Sequence, residues 1–283
     1  MPDPAKISVI VRAHDEAAAI GRCLQLVGAQ QVGGRAIETI VVDSGSRDGT
    51  EAIAAANGAR VISTAGEPFS FGGALNRGAA AAAGEILVAL SAHAFPLDDG
   101  WLTRLVATFD DPQVACACGD RFWPDGTLLA GPVVFDRPMA DRYPLWGYSN
   151  AAGAFRASLW RERPFREDLP ACEDREWCRH WVQRGHVCVL DPTLLVDHDH
   201  THDPVLSIYR RARREAAGFA TFMPPGALPP VRPRALAIDW WSDTSFYGSP
   251  WRARLSHRRF ARLLGTYVEL AWARRSARVT RVP

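Results

Sequence analysis

No apolar run in this 283-residue chain approaches the roughly 20 residues that a helix needs to cross a bilayer. Its start, MPDPAKISV, passes almost directly into a strand pattern, which leaves no room for a secretory signal, so a cytoplasmic protein is expected. Six cysteines are present (Cys23, Cys116, Cys118, Cys172, Cys178, Cys188) but no Cys-x-x-Cys pair. Neither a zinc ribbon nor a thioredoxin-like motif is therefore supported, and reduced, mostly buried thiols are expected. No Gly-Lys-Ser/Thr follows the glycines of FGGALNRG, and no Gly-x-Gly-x-x-Gly follows the first strand pattern. Those absences disfavour a P-loop NTPase and a Rossmann dehydrogenase. No internal repeat is visible.

What is present suits a globular enzyme: 47% hydrophobic residues, enough to bury one large domain or one domain with an appendage. The net charge of +2 conceals an asymmetry. From Val205 onward 15 arginines face only Glu215, Asp239, Asp243 and Glu269, giving +11 there and −9 before it. A Pro-rich segment, MPPGALPPVRPR, follows, and short strands alternating with helices give way to Arg-rich helices. Two parts are expected, residues 1–204 and a helical appendage over 205–283. In the appendage Leu206 and Tyr209, then Phe260, Leu263, Leu264, Tyr267 and Leu270, recur at helical spacing opposite arginines. Such helices suit an anionic surface, here the inner face of a membrane, or pack on a core with a solvated basic face. No nucleic-acid module is recognisable.

The segment 38–50, ETIVVDSGSRDGT, organises the reading. Residues 39–42 are an apolar, β-branched run suited to a strand buried on both faces. Asp43 to Ser46 form its exit loop, and Asp48-Gly49-Thr50 opens a helix with Thr50 or Asp48 as cap. Asp43 thus sits at the carboxyl end of a central strand, where open α/β sheets take ligands. An acid there suits a ribose hydroxyl or a uracil-type edge, although it could equally cap the turn to Gly45. Strands are further expected over 7–11, 60–63, 86–90, 114–119, 187–190 and 194–196, a small-residue strand or turn over 150–155, and helices after 15, 50, 70, 98 and over 173–184. Residues 120–148, rich in Pro, Gly and aromatics, read as loop. The order predicts an α/β, doubly wound, mostly parallel sheet flanked by helices.

Six segments in order, SVIVRAHDEAAAIGRCL, IVVDSGSRDGT, FSFGGALNRGAAAAAGEILVALSAHAFPLDDGWL, SNAAGAFR, LPACEDREWCRHWVQRGH and LLVDHDH, resemble the family-2 glycosyltransferases of GT-A fold. Within them the rhamnosyltransferase-like bacterial branch is the nearest pattern. The resemblance implies an inverting transferase that moves a sugar from a nucleotide diphosphate donor, UDP- or dTDP-linked, to an acceptor hydroxyl on a saccharide, a lipid-linked sugar or a small molecule. It implies a nucleotide edge made of the loop from Ala13 to Glu16 and of Asp43 and Ser44. Asn76 and Arg77 would face the donor, with Arg77 offsetting diphosphate charge. In the Glu173-Asp174 pair, Asp174 would be the general base.

One departure stands out. The family's Asp-x-Asp metal motif is here Ser91-Ala92-His93. The resemblance then implies either a divalent ion held by His93 with His198 or His200, Mn²⁺ in preference to Mg²⁺, or histidines serving as hydrogen-bond donors to the diphosphate. His198, His200 and His202 alternate, so in a continuing strand they share a face; the blander reading is a polar exit from an apolar strand. Glu173 and Asp174 could likewise only complement a helix N-terminus, and His93 could be a hydrogen-bonded structural residue. Two rival functions are a binding protein that has lost turnover and a sugar-nucleotide nucleotidyltransferase. The latter should show a Gly-rich basic loop after the first strand, and RAHDEAA is not one.

Overall fold

A computed structural model describes residues 6–198, 203–228 and 257–279. Alternation within the strands decides the layers. In β1 (Ile7–Ala13) and β2 (Ile37–Asp43), Val9, Val11 and Val41 enter one core, while Ile10, Ile40 and Val42 enter another on the opposite face. The first core takes α1 (Ile20–Gly28), α2 (Thr50–Ala56) and α4 (Trp101–Ala107). The second takes α3 (Phe71–Ala81), α6 (Ala157–Glu162) and α7 (Glu173–Val182). On α3, Gly78 allows an approach that a Cβ would forbid, since that atom would lie 2.3 Å from Ile10 Cγ2.

The main sheet adds β3 (Arg60–Ser63), β4 (Ile86–Ser91), β6 (Val114–Cys118), β7 (Val133–Phe135), β8 (Ala152–Arg156) and β9 (Val187–Leu190), in the order β3-β2-β1-β4-β8-β6-β9-β7. β3, β2, β1 and β4 run parallel, as do β6 and β9. β8 is antiparallel to both of its neighbours and β7 closes the far edge antiparallel. Two small strands, β5 (Phe95–Pro96) and β10 (Val196–Asp197), pair beside it.

Three expectations need correction. Residues 120–148 are not all loop: they hold β7 and α5 (Arg137–Arg142), the latter capped by Asp136 Oδ1 accepting from Met139 N–H at 3.0 Å. Three and six residues are too short to show a period, so only the Asp-x-Pro cap was legible. The stretch 194–196 is not one strand. Residues Pro192–Leu194 form a 3₁₀ turn under the Asp191 side chain before β10 begins. One element had no counterpart among the expectations: α6 follows β8 without a break, so no turn residue announces it. Finally, the helix-opening residue after β2 is Gly49, at φ 97°, with Asp48 Oδ1 accepting from Thr50 N–H at 3.0 Å.

The C-terminal part contributes α8 (Val205–Phe222) and α9 (His257–Val279), which pack on each other and, with Leu145, enclose a small separate core of Ala216, Met223, Leu228 and Leu270. On α8, Ile208, Ala212 and Ala216 are buried at four-residue spacing, while Arg210, Arg213 and Arg214 face outward. Arg213 is paired with Glu269 on α9 at 2.6 Å, and Arg211 with Asp203. Among the described residues no helix is long and apolar enough to cross a membrane.

Candidate active site

Register brings the carboxyl ends of the central strands level: Ala13 lies opposite Asp43, and Arg12 opposite Ser91. Asp43 is fully buried. Its Oδ1 accepts from Gly45 N–H (2.9 Å) and Ser46 N–H (2.7 Å), and its Oδ2 from the Ser46 hydroxyl (2.5 Å). Both oxygens are thus taken up inside the loop, and Gly45 supplies the φ of 88° that this tight turn requires. The β1 loop is laced to the β2 loop. Asp15 N–H donates to Ser46 Oγ (2.8 Å), Asp15 Oδ1 accepts from Arg47 N–H (2.8 Å), and Glu16 N–H donates to Thr50 Oγ1 (2.8 Å). Ser44 N–H donates to the Ala13 carbonyl at 3.0 Å. Ala13, Glu16, Asp43 and Ser44 are therefore one rigid rim.

Across β4, His93 Nδ1 meets Glu16 Oε1 at 2.7 Å and its ring stacks on His198, centroids 4.8 Å apart and planes 16° from parallel. His200 lies outside the described residues. A ring nitrogen's lone pair lies in the ring plane, so two stacked imidazoles do not converge on one ion. As arranged, Glu16, His93 and His198 do not fit a cation shared by both rings.

Asn76 and Arg77 are drawn elsewhere. Asn76 Nδ2 donates to the Phe165 carbonyl and to Glu167 Oε1, both at 2.9 Å. Its Oδ1 accepts from Trp160 Nε1 (2.9 Å) and Phe165 N–H (3.1 Å). The amide is saturated and holds the segment before α7 in place. Arg77 is exposed, paired with Glu67 at 2.5 Å, and lines a separate cleft of about 290 Å³ with Thr64, Phe69, Ser70 and Glu167.

At the start of α7 the chain takes a left-handed turn at Cys172, φ 66°, a conformation that costs a non-glycine residue about 1 kcal/mol or more. It aims two successive carboxylates at the rim. Glu173, 4% exposed, faces Arg12 Nη1 at 3.5 Å and Asn150 Nδ2 at 3.4 Å. Asp174, half-buried, accepts from Asn150 N–H at 3.0 Å and from Arg175 N–H at 2.7 Å. Burial, and secondly the charge of Asp174, raise Glu173 to a pKa of about 7 against the opposing pull of Arg12. Arg12 Nε and Asn150 Oδ1 are buried with no hydrogen-bond partner among the described residues.

Arg12 and Asn150 were not singled out by the sequence. Arg12 is the one charged residue of β1, and Asn150 follows Ser149 just ahead of a small-residue strand; those were the available signals. The structure brings Glu16, Asp43, Ser44, His93, Glu173, Asp174 and His198 to one edge of the sheet, and leaves Asn76 and Arg77 beside it.

A profile described as Glycosyl transferase family 2 matches residues 8–160. Among solved structures, the chain is similar to a mannosyltransferase from Pyrobaculum calidifontis in complex with GDP-Man and Mn²⁺, with TM-score 0.67 and 20% identity over 96% of this chain and 89% of that one. It is also similar to glucosyl-3-phosphoglycerate synthase from Mycobacterium tuberculosis in complex with Mg²⁺ and UDP, with TM-score 0.58 and 23% identity over 77% and 79% of the two chains. At these identities the likeness shows the fold. A TPR repeat-containing protein of Synechococcus elongatus is 31% identical over 165 residues, 58% of this chain and 35% of that protein. The chain thus spans about a third of that relative's length.

Proposed function

This chain belongs to glycosyltransferase family 2, and on that premise we propose that it transfers a sugar from a nucleotide diphosphate donor to an acceptor hydroxyl with inversion at the anomeric carbon. The observation that carries the reading is the unsatisfied pair at the α7 entrance. Arg12 Nε and Asn150 Oδ1, one donor and one acceptor, are buried without partners beside two carboxylates. Buried polar side chains are almost always hydrogen-bonded, so such a pair marks a place built for a ligand's hydroxyls.

The transfer divides between the two parts of this edge. The laced rim of Ala13, Glu16, Asp43 and Ser44 would seat the nucleotide, with Asp43 shaping the loop and the loop's outer face making the contact. Asp174 takes the acceptor's proton as the hydroxyl oxygen bonds to the anomeric carbon and the bond from that carbon to the diphosphate breaks. A base works best when its pKa lies near the working pH. The neighbouring Asp174 charge and burial raise Glu173 to about 7, so Glu173 carries a proton beside Asp174 up to about that pH. Arg12, held by the Asn150 carbonyl at 2.9 Å, keeps Glu173 turned inward.

The diphosphate's charge needs an offset. Arg77 would supply it only by leaving Glu67. A divalent ion, Mn²⁺ or Mg²⁺ as in the similar structures, would have to be held without the two stacked imidazoles together, so no step is assigned to it. A chelator titration separates these: loss in EDTA with recovery in Mn²⁺ assigns the offset to an ion, and unchanged turnover assigns it to protein cations.

The proposal is tested with purified protein and a panel of UDP-, dTDP- and GDP-sugars. A cognate donor should raise the melting temperature by mass action and release its nucleoside diphosphate when acceptor saccharides or lipid-linked sugars are added. Stabilisation without turnover across acceptors would instead favour a sugar-nucleotide binding protein. No response to any nucleotide would sink both. Engagement of an anionic membrane by the outward arginines of α8 is a further expectation, read by flotation with acidic vesicles.

A further inference from the structure

The core face that carries α7 holds thiols that the transfer chemistry does not use. Cys116 and Cys118 are two apart on β6 and so point to the same side of the sheet. Cys188 on β9 is the cross-strand partner of Cys116, and Cys178 approaches from α7. Their Sγ atoms, in Cys116, Cys178 and Cys188, all lie within 4.8 Å of one another, and the three residues are at most 1% exposed. Among the described residues this is the one set of three candidate ligand side chains so close together. Four-coordinate zinc with Zn–S bonds of about 2.3 Å spaces its sulfurs by about 3.8 Å, within reach of small side-chain rotations.

Two other buried groups bear on the thiols. The Tyr148 hydroxyl is fully buried and has no hydrogen-bond partner among the described residues. Burial, then Cys116 and Cys118, push its ionisation upward. Arg175 lies on the same helix as Cys178, three residues before it.

We propose that Cys116, Cys178 and Cys188 bind one soft d¹⁰ cation, Zn²⁺ or Cu⁺, as thiolates, with Cys118 on the same face of β6 as Cys116. Each thiol gives its proton to solvent as its bond to the metal forms. Three thiolates around Zn²⁺ carry one negative charge, which the Arg175 guanidinium offsets, and soft sulfur ligands favour these metals over harder ions. The ligands come from β6, β9 and α7, so the ion staples the base-bearing helix to two strands, one turn beyond Asp174. A site this enclosed is loaded as the chain folds. None of this depends on the transferase reading.

The test uses untagged full-length protein purified under reducing conditions, with zinc and copper measured by mass spectrometry. About one ion per chain is expected, resistant to dialysis against EDTA and released by an organomercurial, as for an enclosed thiolate site. In Cys188→Ala the content should fall below about a tenth of an ion per chain. Because that variant could fold poorly, wild-type protein is also unfolded, stripped and refolded with Co²⁺, where thiolate-to-cobalt charge-transfer absorption is expected. The proposal is overturned by absence of both ion and charge-transfer band, by an ion that survives Cys188→Ala in folded protein, or by a disulfide joining two of the three thiols.

Discussion

The loops after β1 and β2 and the turn into α7 meet at one edge of the sheet, yet they treat their polar groups differently. In the first, Asp43, Asp15, Ser46 and Thr50 are spent on one another and on backbone N–H groups. In the second, Arg12 and Asn150 keep buried atoms unpartnered and a carboxylate sits far above its usual pKa; each part holds one left-handed non-glycine residue, Asp15 and Cys172. The contrast separates a rim whose polar groups are satisfied within the protein from a centre where two buried atoms are not. Substitutions in the rim should therefore register chiefly in stability and donor affinity, and those at the centre in turnover and pH dependence.

The sharpest break is expected from Asp174→Asn, which removes the proton acceptor while keeping its shape. Transfer should fall by roughly 10² to 10⁴, the scale of general-base catalysis, with the donor-induced rise in melting temperature intact. Wild-type turnover would remove Asp174 from the role.

Next comes the pH dependence set by Glu173. In the fold it stays protonated up to about pH 7, against an ordinary value of 4.5. The stability this gives is complete below pH 4.5 and lost as pH rises through 7, by about 3 kcal/mol. Glu173→Gln should flatten that slope in urea melts taken from pH 5 to 8 and leave the variant the more stable form at pH 8. An unchanged slope would mean that burial of Glu173 is relieved by water.

Asp43→Ala strands two backbone donors and should cost about 2 to 3 kcal/mol, together with donor affinity. Loss of affinity at unchanged stability would instead make Asp43 a direct reader of the nucleotide. The smallest effect is expected at Arg77→Ala. An exposed ion pair contributes at most about 1 kcal/mol to stability, so any large change in donor Kd by calorimetry would report contact with the diphosphate.

Sequence reading reached unevenly into this molecule, for physical reasons. β3 and β9 were legible to the residue, because apolar runs bounded by turn residues have one reading in a parallel sheet. The antiparallel β8 was half legible: AAGAFR carries too little side chain to show alternation, yet its glycine is needed where a Cβ would sit 2.8 Å from the Ala117 carbonyl. β7 and α5 were invisible to periodicity by length alone. In the site, the Glu-Asp pair was readable as a motif, whereas the upward shift of Glu173 arises from burial and the Asp174 charge, held in check by Arg12 and Asn150, a balance set only in three dimensions. Asn76 shows the reverse case. Its place in the chain suggested a ligand, and its four bonds instead tie down residues 160–167.

The division near residue 204 looks, on charge alone, like a seam along which the chain could be cut. Gly218 of α8 argues otherwise. A Cβ there would stand 2.2 Å from the Ala171 carbonyl, so the helix backbone lies flush against the strained turn that launches α7. Cys172 also reaches back, its thiol 3.6 Å from the Glu215 carbonyl. The appendage thus braces the turn into α7. A shortened chain that kept every residue of the transferase sheet would still lose the brace against which Asp174 is aimed, and whatever pulls on α8 from outside is felt one residue from the strained turn.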